Sequence, residues 1–287
     1  MAEPDLSPRD SSAGAGSSSR RWGRRAVAAS IAAIAMVAAS GGAAGAYYGF
    51  VVRGGGEDGA LLRCDGGMTR LSHVLDENAS TFPGDPPTEI TIVNTIDSDG
   101  FLLENVSTGV HTGTHLDSPG HFIEGGRTVD ELEAEDLVWP AYVIDVRQRM
   151  ANRGPDFQLS VDDIRRYERS VGRIPQGALV IIQTGFDAKF GTPDYEEPVP
   201  GFSGDTVQWL FDNRHIGGVG SDTFGPDATS DEEFAATATA LANDGIAMPD
   251  INNVDSLHRN GDIIIAGTVP LRDGSGYQTD PLACHRD

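Results

Sequence analysis

Lysine is almost missing from this chain. Lys189 is the only one among 21 basic residues, which face 43 acidic ones for a formal charge of -22 over 287 residues. The preference for arginine reads as a bias of nucleotide composition, not as a site. The shortage of positive charge is also uneven. Residues 1–53 carry six arginines against three acids, which leaves 15 basic and 40 acidic residues beyond them. So acidic a surface repels phosphate backbones and excludes nucleic acid as a partner. Cysteine is scarce as well. Cys64 and Cys284 lack metal-ligand spacing, which excludes a thiolate metal site. No internal repeat is visible, and apolar content is ordinary, enough for one sizeable core.

The N-terminus is rich in Ser, Gly and Ala over residues 1–19, with little to bury, and is expected to be disordered. Arginines then cluster through residue 25, and residues 26–52 form an uncharged stretch long enough to cross a bilayer. The dense arginines on its N-terminal side place that end in the cytoplasm and everything beyond it outside. Two readings stay open. One is a retained membrane anchor. The other is a cleaved signal of twin-arginine character, with Ala44-Gly45-Ala46 as the candidate cut. Either way the remainder is extracytoplasmic. Residues 53–63 read as a linker and residues 64–287 as the folded domain. In an oxidising compartment Cys64 and Cys284 could staple the ends of that domain together; two unpaired thiols are the alternative.

Within the domain, EITIVN (89–94), AYVIDV (141–146), ALVIIQ (178–183) and DIIIAGTV (262–269) are β-branched runs bounded by Gly, Pro or Asp, and read as strands. Ser160 caps a predicted helix over VDDIRRYERS. Ser203 or Asp205 opens a second at DTVQWLFDNR. Ser230 with Glu233 forms a capping box for a third that ends near Asn243 before Gly245. The mixture predicts an α/β or α+β domain.

The stretch HTGTHLDSPGHF, residues 111–122, carries the chemistry. His111, His115, Asp117 and His121 share parity, so an extended chain projects them to one side, while Gly113 and Pro119 bend that chain and rule out a regular helix. Two imidazoles and a carboxylate suit a divalent ion such as Zn²⁺ or Mn²⁺, with positions left open for water and substrate. Such an ion activates water and polarises a carbonyl, as amide or lactone hydrolysis requires. A further histidine beside it can move the proton.

HTGTHLDSPGHF resembles the HxGTHxDxPxH motif of the cyclase family, which includes kynurenine formamidases and isatin hydrolases. LSHVLDENASTFPGDP (71–86), GFSGDTVQWLFDNRHIGGVGSDT (201–223), GIAMPDINNVDSL (245–257) and PLRDGSGYQTDPLA (270–283) follow in family order, so the likeness spans about residues 68–284. It implies a swivelling β/β/α fold around a small barrel-like mixed sheet, a homodimer or larger assembly, and a small-molecule substrate. It further implies His111, His115 and Asp117 as metal ligands, His121 as catalytic acid/base, and Phe82 where formamidases place a substrate-packing tryptophan. Ala238 stands where formamidases carry a second-site histidine, which favours one metal ion per chain. Asp250, or equally Pro249 before it, stands at the matching glutamate, and Asp250 is expected either to ligate the ion, directly or through water, or to cap a turn.

Weaker candidates read as structural. His73 is expected to be a hydrogen-bonded strand residue, Gln183 and Thr184 a strand end, Asp222 and Asp227 loop-ordering acids, and Asn252 and Asn253 turn residues. DYEEP (194–198) reads as a solvated loop. The expected function is hydrolysis of an amide, formamide, cyclic amide or lactone. The competing reading is a binding protein on the same scaffold that has lost turnover.

Overall fold

In a computed structural model the chain is described for residues 49–51 and 61–286. The arginine-bearing tail, the Gly54–Asp58 linker and nearly all of the apolar stretch lie outside these residues. The exception is Gly49–Val51, which pairs antiparallel with Leu61–Arg63. Among the described residues no helix is long and apolar enough to cross a membrane.

Ten described strands of three or more residues build the domain: β1 Met68–Arg70, β2 Glu89–Asn94, β3 Leu103–Ser107, β4 His115–Asp117, β5 Val138–Asp145, β6 Leu179–Gln183, β7 Gly218–Ser221, β8 Ile246–Met248, β9 Asn260–Thr268 and β10 Gly276–Cys284. Four longer helices accompany them: α1 Arg147–Arg153, α2 Val161–Val171, α3 Gly204–Arg214 and α4 Ala235–Ala242. The strand runs predicted from β-branched composition all form. Strands β5, β6, β7 and β8 lie parallel in that order, and antiparallel β4, β10 and β9 return the sheet to β5. Seven strands thus close into a barrel-like sheet, with β1 added along the far end of β10.

Closure explains the sequence of β6. A strand covered on both faces has no solvent side, so it reads as an unbroken apolar run. Leu179 and Ile181 point into one core with Leu116, Trp139, Met248 and Ile264. Val180 and Ile182 point out to a second core, under Ile164, Tyr167, Leu210 and Ala240 of the helices. The acidic first turn of α2 is capped as expected, with Ser160 accepting from Asp163 N–H and the Asp163 carboxylate accepting in return from Ser160 N–H. Ser203, rather than Asp205, caps α3.

One helix start differs from expectation. Ser230 does not cap α4, which begins at Ala235 after Phe234 in the left-handed region at φ 53°. Its free N–H groups are taken by Asp227 instead, which accepts from Ala236 N at 2.6 Å, from Thr237 N, and from the Thr237 hydroxyl. A carboxylate at a helix N-terminus is favoured by the dipole as well as by hydrogen bonding. Here it arrives from a loop eight residues upstream, beyond the reach of local pattern.

The two cysteines pair. A Cys64–Cys284 disulfide ties the start of the domain to the end of β10, across 220 residues. The hairpin β2–β3 stands apart from the barrel sheet as its own two-stranded ribbon, capped by the helical turn Ile96–Asp99.

Candidate active site

The motif's four residues converge, although not by simple parity. Only His115–Asp117 is extended. It forms β4, wedged between Ala247 of β8 and Gly276–Gln278 of β10. Gly113, at φ 67°, reverses the chain so that His111 folds back over the strand. Pro119–His121 then make one turn of 3₁₀ helix that lifts His121 to the same spot. Its ring stacks on that of His111 with centroids 3.8 Å apart.

Hydrogen bonds fix both ligand-type rings. His115 Nδ1 lies 2.6 Å from the carbonyl of Gly113, which can only accept, so Nδ1 carries a proton and Nε2 is the nitrogen left for a metal. Nε2 faces Asp117 Oδ1 at 3.2 Å. His111 is held the other way round, with Nε2 2.9 Å from Ser275 Oγ and Nδ1 2.7 Å from the same Asp117 oxygen. One ligand atom from each of the three residues lies within 4.8 Å of the others. Outer ring nitrogens anchored to backbone or hydroxyl oxygen, with inner ones converging beside a carboxylate, are what metal-binding histidines show. The donor set fits a divalent ion. Packing enforces it: a Cβ on Gly276 would sit 2.5 Å from His111 Cε1 and 2.7 Å from the Leu116 carbonyl.

The electrostatics agree. Burial alone would lower the His115 pKa, but Asp117 beside it raises it to about 9. Burial likewise opposes ionisation of Asp117, yet the two imidazoles hold its carboxyl well below the usual range. The cluster is a buried pit that favours positive charge. His121 differs. Burial dominates and lowers its pKa despite Asp117. Among the described residues no group hydrogen-bonds its ring nitrogens, which leaves them free to face the cleft.

Asp250 is not brought into the convergent set. Its Oδ2 lies 4.0 Å from His115 Nδ1, on the outward side of that ring, and Oδ1 accepts from the Tyr195 hydroxyl at 2.6 Å. Of the readings open for Asp250, the geometry matches the turn residue, in a supporting position behind His115 and outside the convergent donor set. The reason is its backbone: φ 54°, N–H on Thr223 O and carbonyl on the Thr114 hydroxyl pin it in a tight turn. Burial raises its pKa to about 7. Ala238 does not line the cleft; its neighbour Thr237 does.

The cleft above these residues has a volume of 620 Å³. Phe82 lines it, edge-on to Phe224 and Phe234. Phe122, Phe224, Phe234 and Tyr195 complete an aromatic box that the sequence reading did not collect. Phe122 closes the motif itself and Phe224 follows the β7 exit, so adjacency to motif residues was the available signal. Tyr195 corrects an expectation. DYEEP is not wholly solvated, because a turn at Pro193–Glu196 swings this ring inward to 2 % exposure. Asp85, Glu196, Asp231 and Glu232 add carboxylates to the lining, which contains no lysine or arginine.

The remaining candidates are structural. Thr184 and Asp222 bond each other, Oγ1 to Oδ1 at 2.8 Å, and tie the exits of β6 and β7. His73 lies in no strand and its buried Nε2 has no hydrogen-bond partner among the described residues, contrary to expectation; it stacks on Phe190, and burial lowers its pKa to about 4. Asn252 and Asn253 reach the backbone of Ser72 and Arg70.

The profile of the Cyclase family matches residues 69–228, which include the whole motif and most of the parallel strands. The chain belongs to the cyclase family. An isatin hydrolase from Roseibium aggregatum is 31 % identical over 238 residues, covering 77 % of this chain and 89 % of the relative. A kynurenine formamidase from Bacillus cereus is 26 % identical over 167 residues, or 58 % of this chain and 73 % of its own length. Among solved structures, an isatin hydrolase bound to the product analogue thioisatinate superposes with a TM-score of 0.70 at 29 % identity, covering 75 % of this chain and 91 % of that one. The barrel-like sheet with flanking helices is the cyclase fold, and the chain is a hydrolase of that family.

Proposed function

We propose that this cyclase-family domain is a metal-dependent hydrolase of an aryl amide, formamide, cyclic amide or lactone, acting outside the cytoplasm. His111 Nδ1, His115 Nε2 and Asp117 would hold one divalent ion, Zn²⁺ or Mn²⁺. A bound ion of this kind supplies Lewis acidity and brings the pKa of water towards neutrality. His121 is the acid/base. The observation that carries this role is its position: it stacks against His111 while its own nitrogens remain uncommitted and face the cleft. It can therefore take a proton from water and return it to the leaving nitrogen or oxygen. His111 and His115 cannot, because both nitrogens of each ring are already engaged.

The aromatic box points to an aryl group on the substrate. Its edge-to-face geometry leaves ring faces available for stacking. Away from the metal pit the lining is acidic, with only Glu197 paired, to Lys189, which disfavours negative charge on the part of the substrate that lies there. Names of the relatives, isatin hydrolase and kynurenine formamidase, support scission of a C–N bond outside peptides. Export is supported by the arginine-flanked apolar stretch 26–52 and by the Cys64–Cys284 bridge, a bond that persists in oxidising compartments. A homodimer is supported by the β2–β3 ribbon. Ile92, Val93, Ile96, Phe101, Leu102 and Val106 are all half or more exposed on it, and an isolated two-stranded hairpin is marginally stable in water.

The test pairs metal content with turnover on a panel of aryl amides, cyclic imides and lactones. His121→Ala should keep its metal and lose roughly 10²–10⁴-fold in kcat, the range of general acid–base catalysis. Turnover within about threefold of the parent would remove His121 from the mechanism. A folded protein that takes up neither zinc nor manganese in the cleft would remove the mechanism itself.

A further inference from the structure

We infer that His258, Asp262 and His285 form a second divalent-metal site, separate from the catalytic cleft and structural in character. Asp262, near the start of β9, is completely buried. A carboxylate so placed requires either a paired cation or a metal. No lysine or arginine side chain among the described residues lies in ion-pair reach of it. Arg259, its near neighbour in sequence, instead places its guanidinium over the Tyr167 ring. The backbone N–H groups of His258 and Arg286 donate to the carboxylate, and the side chains that face it are imidazoles. His258 Nδ1 lies 2.9 Å from Oδ1 and His285 Nδ1 lies 3.0 Å from Oδ2. One donor atom from each of the three lies within 4.8 Å of the others.

The supporting groups are those a metal site needs. His285 Nε2 is 2.8 Å from the Thr69 hydroxyl on β1, which orients the ring so that Nδ1 faces Asp262. The backbone of His285 is bonded on both sides, to Gly67 O and from Gly66 N. The adjoining Cys284 is locked in the disulfide. Two of the three ligands are thus rigid before any ion arrives. His258 provides the entry path: its side chain is 61 % exposed, and it borders an open surface depression with Arg259, Asn260, Gly261 and Arg286. Two imidazole nitrogens and one carboxylate oxygen, with a fourth position open to water, are a zinc-type set.

This site does not depend on the cleft. None of its residues lines the cleft. Gly276, beside His111, and Cys284, beside His285, are opposite ends of the nine-residue strand β10, roughly 25 Å apart at the rise of a strand. An ion here would cross-link the loop before β9 to the end of the chain and to β1, reinforcing the disulfide.

The experiment measures zinc per chain after dialysis, with zinc as the only added metal, in the full chain and in the Asp117→Ala and His258→Ala variants. His258 is exposed, so its replacement leaves the core intact. The parent should hold two zinc ions and each variant one. Zinc should still raise the Tm of Asp117→Ala, and that rise should vanish when His258→Ala is added. His258→Ala should retain turnover. If His258→Ala holds as much zinc as the parent while Asp117→Ala loses all of it, the second site is refuted and the catalytic proposal stands. If the reverse holds, the catalytic proposal fails and this one stands.

Discussion

His111 is packed directly against Gly276: the space that a Cβ would need on strand β10 is filled by Cε1 of that imidazole, 2.5 Å from where the methyl would start. The ring cannot retreat, since its two nitrogens are held by Ser275 and Asp117 and its outer face by His121.

Gly276→Ala is therefore expected to displace His111 and empty the cleft of metal while the fold survives. Overpacking of this kind costs about 1–3 kcal/mol. Bound metal should fall by one ion per chain and turnover by at least tenfold while circular dichroism stays native. A variant that keeps its metal would show that strand β10 yields instead.

The disulfide closes a loop of 220 residues. Chain-entropy arithmetic puts its contribution at up to about 5 kcal/mol. Thermal unfolding with and without reductant, together with Cys64→Ser, should show Tm falling by several degrees in both cases. Equal Tm values would mean that the ends of the domain are held well enough without the bond.

Asp227 predicts a pH effect. Burial raises its pKa to about 6 despite the three donors around it. The folded pKa exceeds the unfolded one near 4, so protonation favours the fold. The sign follows: its contribution is fully present below about pH 4 and lost as pH rises through about 6. A two-unit shift corresponds to about 3 kcal/mol. Urea titrations at pH 4.5 and 7 should show a smaller pH difference in Asp227→Asn than in the parent. Asp222, also raised by burial to about 6, acts with the same sign in both proteins and cancels.

The β2–β3 ribbon predicts the assembly state. On the proposed homodimer reading, the exposed apolar side chains of the ribbon form the subunit contact. Ile92→Asp combined with Val106→Asp should convert a dimer in light scattering to a monomer without loss of metal. A parent that is already monomeric would refute the role of the ribbon.

Local pattern determined much of this protein. The β-branched runs 89–94, 141–146, 178–183 and 262–269 carry strand character in their own composition, and Ser160 caps α2 through neighbours three residues away. The histidine motif announces its chemistry because donors, Gly113 and Pro119 all lie within eleven residues. Tertiary structure decided what depends on distant partners. Asp250, which sequence left open between ligand and turn residue, stands behind His115 because Thr114, Tyr195 and Thr223 hold it there. Tyr195 turns from a hydrophilic loop into the site, and Asp227 caps a helix that Ser230 should have started. Ser275 and Gly276, more than 150 residues from His111, set its ring by a hydrogen bond and by the lack of a side chain. The second His–Asp–His cluster exists only because β9, β10 and β1 lie side by side. Side-chain type and spacing are local quantities, but which face of a ring, or which oxygen of a carboxylate, meets which partner is settled by closure of the barrel.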